Sequence, residues 1–422
     1  MRKLWKILKW TVIGLVAAIA VLLSIVAIVS WRANGRLEQR LNAIRTAGDP
    51  VTLSELTREP IHSDRNAVTY LQRVERQVLA INNELRDVLD DDGPYREAGK
   101  LNAEGATMVR ATLESYSEVI PTLELAANCD EYDSMYDFSA PPAVVLDAVM
   151  QRTGPSRAAA RVLILKSDLL MFEGQRDEAL RTSVLALKLG RQLEHEPFMV
   201  GYLVSLGVRG GALDRINQIL TDGQISAESS ALLKDELARN DGMQGFVHCL
   251  KSERALGVAS FRNMPRAIQP LWYFKNWESD YLDMMAAEVK MGAAPKHLIA
   301  GELSVQSTKI ASSYGALVRL SYSALQAGRE AMDRVRAQVR CLYVACELQR
   351  TALDRGNADD LNIEQLGIDK SFIIDPYTGK RLLTRKSPQG WTVYSVGRNG
   401  KDDGGNIGPP FDDVGAGPVT IR

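Results

Sequence analysis

Residues 158–193 read AAARVLILKSDLLMFEGQRDEALRTSVLALKLGRQL, and this stretch decides the fold. Apolar side chains recur every three or four residues on both sides of Gly174, the signature of two amphipathic helices. A helix over 156–173 ends at Phe172-Glu173-Gly174, and the next starts at Gln175-Arg176-Asp177-Glu178-Ala179-Leu180. So short a turn makes the helices antiparallel neighbours, and the small residues Ala158, Ala179 and Ala186 let their axes approach closely.

Outward from this hairpin the helical period continues. It predicts helices over 66–89, over 103–127 with a break at Pro121, over 198–220, from the Ser226 cap to Leu237, and over 244–259. One or two long helices cover 305–355. Asp90-Asp91-Asp92-Gly93-Pro94 reads as a solvated acidic turn rather than a calcium loop, because it lacks the alternating ligand spacing. Residues 128–142 form a polar loop. Beyond 355 the composition turns to Gly, Pro and Asp, and KRLLTRKS and WTVYSVG flank Pro388-Gln389-Gly390 as a β-hairpin. The fold class is mainly α, with a small α+β module at the C-terminus. The 158–193 hairpin resembles one tetratricopeptide-type unit, but no repeat of ~34 residues follows it, so an array is not implied.

Residues 10–31, WTVIGLVAAIAVLLSIVAIVSW, carry no charge, and Arg2, Lys3, Lys6 and Lys9 precede them. As a helix this run is ~33 Å long, enough to cross a bilayer, with Trp10 and Trp31 at the interfacial ends. A cleaved signal peptide is the alternative, but its apolar run is shorter and ends in small residues, where Trp31 stands here. The cationic end stays in the cytoplasm, so the protein reads as single-pass in a bacterial inner membrane with an extracytoplasmic body. The expected layout is a basic tail and anchor at 1–31 and a stalk at 32–60. A helical domain follows at 61–335, and the hairpin module with a flexible tail occupies 336–422.

The chain has 51 basic and 52 acidic residues; taking the four N-terminal cations from the net −1 leaves the rest near −5. A mildly acidic body lacks the basic face that nucleic acids require. Four cysteines are too few for a disulfide scaffold. Cys129 and Cys249 pair, or all four (with Cys341 and Cys346) are buried thiols. Catalytic signatures are weak. His195-Glu196-Pro197 opens like a zinc-protease helix but has no second histidine, and His248-Cys249 are merely adjacent in sequence. Gly207-Val208-Arg209-Gly210-Gly211 lacks the lysine of a phosphate loop. The expectation is no enzyme and no obligatory cofactor.

Two clusters remain. Trp272, Tyr273, Phe274 and Trp277 lie in an irregular segment, 264–281, that either binds a partner, grazes the membrane or plugs the core. At the C-terminus, Asp375-Pro376-Tyr377-Thr378-Gly379-Lys380 precedes the hairpin, and Asn399-Gly400-Lys401-Asp402-Asp403-Gly404-Gly405 follows it. With the helix over 336–355, running into Gly356, Leu361 and Leu366, this order resembles the C-terminal half of type II secretion major pseudopilins. The whole chain looks like large membrane-anchored proteins of planctomycete-type bacteria. The pseudopilin resemblance implies a calcium loop, here Asp402, Asp403, Asn399 and the Val396 carbonyl, with Asp412 or Asp413 folding back; an ordinary acidic turn is the other reading. Asn399 stands where that family commonly has Asp, and the N-terminus lacks the prepilin cleavage pattern. The expected function is an envelope scaffold that uses helical grooves for protein partners. An accessory of a secretion or pilus-like system and an envelope hydrolase are the alternatives.

Overall fold

The computed structural model describes residues 2–90, 92–266, 269, 272–313, 315–355, 363–408 and 410–419. Asp91 of the acidic turn, the helix exit at Gly356 and Leu361, and the last three residues lie outside them. The chain is mainly helical with a small antiparallel sheet near its C-terminus. Helix α1 (Arg2–Thr46) contains the apolar run and continues past Trp31 without interruption. No part of the most apolar stretch of α1 is buried against the body. The stalk expected at 32–60 is not set apart from the body. Ala33, Leu37, Leu41 and Ile44 recur on one face and are buried, because α1 packs along the body as it leaves the apolar run.

The predicted helix over 66–89 is two helices, α2 (Ala67–Arg73) and α3 (Glu75–Glu84), separated at Val74. The break lets α2 pack on α5 (Val119–Ala127) while α3 packs on α6 (Pro142–Phe172). Between them lies a feature unread in the sequence. Strands β1 (Arg96–Glu97) and β2 (Lys100–Leu101) form a two-residue hairpin through Ala98 and Gly99, both at positive φ, and α4 (Ala103–Ser115) follows. The break between α4 and α5 falls at 116–118 and not at Pro121, which sits in the first turn of α5, where a missing N–H costs little.

Helix α6 runs through Pro155 instead of starting after it. Its upstream turns are held by Val145 and Val149, which pack with Leu53, Phe198 and Leu256. The hairpin itself stands as read. Gly174 turns at φ +76° into α7 (Arg176–Gln192), and Ala158, Ala179 and Ala186 are buried. Across the crossing the Ser167 and Ser183 hydroxyls lie 2.8 Å apart, and Ser167 also donates to the Ala179 carbonyl. Helix α8 (Phe198–Asp222) covers this pair, and α9 (Ala227–Arg239) opens on the Ser226 cap, which accepts from the Ser229 N–H. Helix α10 (Gln244–Arg262) leads to α11 (Trp272–Gly292), α12 (Lys296–Ser313) and α13 (Ala316–Arg355). Residues 272–281, expected to be irregular, are therefore helical: Phe274, Glu278, Tyr281, Leu282 and Met285 form one buried stripe.

Strands β3 (Leu383–Ser387) and β4 (Gly390–Ser395) form the predicted hairpin. A third strand, β5 (Val414–Val419), occupies the place expected of a flexible tail. It pairs with β4 through Ser395↔Val414, Tyr394↔Gly415, Val393↔Ala416 and Trp391↔Val419. It packs on α8 and α13, and the Gly417 N–H donates to Asn217 of α8. The boundary expected at residue 336 thus lies inside α13, which serves both the helical body and the sheet. All four cysteines are free thiols, including Cys129 and Cys249.

Candidate functional site

The Asp-Pro-Tyr-Thr-Gly-Lys run forms a carboxylate-centred turn. Asp375 is buried, and its side chain accepts from the Tyr377 N–H (2.9 Å), the Ser395 hydroxyl (2.8 Å) and the Thr378 hydroxyl (3.0 Å). The turn closes with Gly379 at φ +69°, where a Cβ would run into the His297 ring of α12. The motif therefore ties β4 and α12 together, which is a structural reason for Asp375, Thr378 and Gly379.

The predicted calcium loop comes together, but with its oxygens already engaged. Asp402 Oδ1 accepts from the Gly404 N–H (2.8 Å) and the Tyr394 hydroxyl (3.1 Å). Asp403 Oδ2 accepts from the Asp412 N–H (3.1 Å), and Asn399 Oδ1 from the Lys401 N–H (2.7 Å). Asp413 does fold back, and its two oxygens take the Asp403 and Gly405 N–H groups. Arg385 donates to the Gly404 carbonyl and Asn406. Among the described residues no group of three or more His, Cys, Asp or Glu is placed to hold a metal ion. Asp402, Asp403 and Asn399 are held in the turn by these bonds.

Of the four aromatics, Phe274 is inside, packed edge-on to Phe261 at 5.5 Å, which corrects its expected place on a binding surface. Trp272, Tyr273 and Trp277 are on the surface, stacked edge-to-face in a row. Their helix follows α1 outward. Lys275 donates to Asn34 (2.6 Å), Arg36 to Asn276 (2.9 Å), and Arg40 grips Asp283 with two bonds of 2.6 Å.

A constellation hidden in the sequence surrounds Glu196. The loop after α5 sends Tyr132, Ser134 and Tyr136 onto its carboxylate, at 2.5, 2.5 and 2.8 Å. Beside it, a cavity of about 30 Å³ is lined by His195, His248, Arg58, Asp133 and Ser252, room for a water molecule. His195 Nδ1 lies 3.0 Å from the Gln192 carbonyl, which can only accept, so this nitrogen carries the proton. Burial, with Arg58 alongside, pushes His248 down to about 4. The Ser252 hydroxyl is spent on the His248 and Cys249 carbonyls. Phe198, two residues past Glu196, is buried at φ +67°, a strained backbone for a bulky residue. The group locks the loop onto the α7–α8 junction, and its only signal in the sequence was the His195-Glu196-Pro197 triplet.

The depressed His248 predicts a pH dependence. An unfolded chain protonates this imidazole near 6.5, whereas the folded one stays neutral until about 4. Between those values the unfolded state binds more protons, so His248 makes stability fall as pH drops through the window. Denaturation curves at pH ~7 and ~5 should show a smaller acid loss in His248→Gln than in wild type. Equal losses would mean that the imidazole is solvated.

A cleft of about 790 Å³ lies between α12, α13 and the C-terminal sheet. Tyr322, Ser323, Gln326, Arg334, Tyr377 and Arg398 line it. Lys296 and Glu330 neutralise each other at 3.0 Å. Arg334 and Arg398 are exposed and have no ion pair among the described residues; with the Asp412 carboxylate also on the lining, the cleft keeps a small positive surplus. Beneath it Arg329 is buried 3.9 Å from Glu288 and over the Phe246 ring. Nearby, burial raises Asp333 to about 6. Compared with known protein families, with curated proteins and with solved structures, the chain matches none.

Proposed function

We propose that this protein is a non-catalytic interaction protein of the bacterial envelope, held in the inner membrane by residues 10–31 with its N-terminus in the cytoplasm. The observation that carries the reading is the cleft between α12, α13 and the sheet, whose volume of about 790 Å³ lies within the range of ligand sites. Its unpaired Arg334 and Arg398 select an acidic segment of a partner protein, since guanidinium forks bind carboxylates in pairs. The topology is supported by the four cations before the apolar run and by Arg32 alone directly after it. A place in a secretion or pilus-like assembly is a second reading, favoured by the succession of α13, the Asp375 turn and the three strands.

The test places a photo-crosslinking residue at Ser323 in the full chain in cells, with and without Arg334→Glu and Arg398→Glu. A discrete crosslinked partner that disappears in the charge-reversed chain is the expected result. An adduct pattern identical in both, or none, would overturn the cleft as a binding site. A reporter active only outside the cytoplasm should work when fused after Arg422, and activity of a cytoplasm-only reporter there would reverse the orientation.

A further inference from the structure

We propose that the aromatic start of α11 lies in the lipid–water interface of the bilayer that α1 crosses, so that the body is seated on the membrane at a fixed tilt. The inference rests on reading residues 10–31 as a membrane span. Helices α1 and α11 run in the same direction, because Asn34, Arg36 and Arg40 meet Lys275, Asn276 and Asp283 in that order. Counting back three residues from the Asn34–Lys275 contact puts Trp272 level with Trp31, the end of the apolar run. At ~1.5 Å per residue, Trp277 stands only ~8 Å further out, about the depth of a headgroup layer.

The surface has the chemistry of that layer. Trp31 is 77% exposed, Trp272 41%, Tyr273 37% and Trp277 40%, so four amphipathic rings are exposed within the depth of one headgroup layer. Trp and Tyr are favoured where one end of the ring is in acyl chains and the other in water. Exposed Met264 flanks the row, following the end of α10, whose Phe261 packs on Phe274. The charges are sorted along the same axis. Arg32, Arg36 and Lys275 stand at the level of the rings or next to it, where lipid phosphates would be. The carboxylate of Glu38 stands two residues beyond Arg36 and that of Asp280 five beyond Lys275, while Glu278, next to Trp277, is buried. Cations and indoles toward the span with acids behind them match a phospholipid surface. The Arg40–Asp283 pair, partly shielded at the back of the seam, keeps the two helices in register.

The experiment reconstitutes two versions of the full chain in vesicles of phosphatidylcholine and phosphatidylglycerol. One keeps only Trp10 and Trp31, the other only Trp272 and Trp277, every other Trp being replaced by Phe. Lipids brominated along their acyl chains quench indoles that touch them. We expect both versions to be quenched, the Trp272/Trp277 version more strongly by bromine near the headgroup end of the chain than near the methyl end. Quenching of Trp10 and Trp31 with unchanged, water-like emission from Trp272 and Trp277 would overturn the seating and leave the span intact. That result would turn the row of rings into a water-facing or protein-binding surface. No quenching in either version would remove the span itself, and the seating with it. Should the chain without Trp391 fail to fold, the difference in quenching between wild type and Trp272→Phe/Trp277→Phe reads the same two rings.

Discussion

Asp168→Ala is expected to lower the unfolding free energy by about 3–5 kcal/mol, among the largest effects of any single side chain in this protein. Asp168 sits inside on α6, with Arg96 Nη2 at 2.7 Å from Oδ2 and Arg215 Nε at 2.7 Å from Oδ1. Arg96 comes from the small hairpin and also donates to the Val88 and Gly99 carbonyls, while Arg215 comes from α8. One carboxylate thus joins three separate parts of the fold. Removing it leaves two guanidinium groups buried without a counter-charge, and that desolvation dominates the loss. Chemical denaturation checks it through the midpoint. Asp168→Asn keeps the shape and some hydrogen bonds and should fall between alanine and wild type. A wild-type midpoint for Asp168→Ala would show that water reaches the site and replaces the carboxylate.

Gly257→Ala should cost about 1–3 kcal/mol through overpacking. Helices α10 and α11 cross at this glycine, where an added Cβ would overlap the hydroxyl end of the Tyr281 ring. Tyr281 has nowhere to go, being buried and fastened by its hydroxyl to the Glu253 carbonyl at 2.9 Å. The diagnostic measurement is a double-mutant cycle with Tyr281→Leu. The combined variant should be less destabilised than the sum of the two singles, because the shortened side chain frees the space the methyl needs. Strict additivity would mean that the helices separate for another reason. Since α11 also packs on α1, the same substitution should disturb that contact as well.

Glycine at 257 was not singled out by the sequence, and neither was Asp168. Both lie within uninterrupted helical patterns, where local spacing says which face is buried but not what crosses it. The Glu196 cluster was missed for the same reason. Its donors, Tyr132, Ser134 and Tyr136, are some sixty residues away in a loop that reads as ordinary polar linker. The C-terminal acids were recognised, and a return of Asp412 or Asp413 was expected, but which hydrogen-bond donors would fill the loop was decided by backbone N–H groups that no side-chain pattern records.

By itself the sequence determined the elements governed by neighbours along the chain. These are the uncharged run at 10–31, the hairpin closed by Gly174, the Ser226 cap and the β3–β4 turn, since period, capping and turn chemistry act over a few residues. Tertiary structure alone decided the rest. It bound the supposed stalk to α11, made a helix of the aromatic segment, carried α6 through Pro155, split the 66–89 helix at Val74 and turned the tail into β5. In each case the free energy comes from burying one face against a partner distant in sequence, and burial of that size overrides the modest local preferences from which a helix start, a break or a flexible end is read.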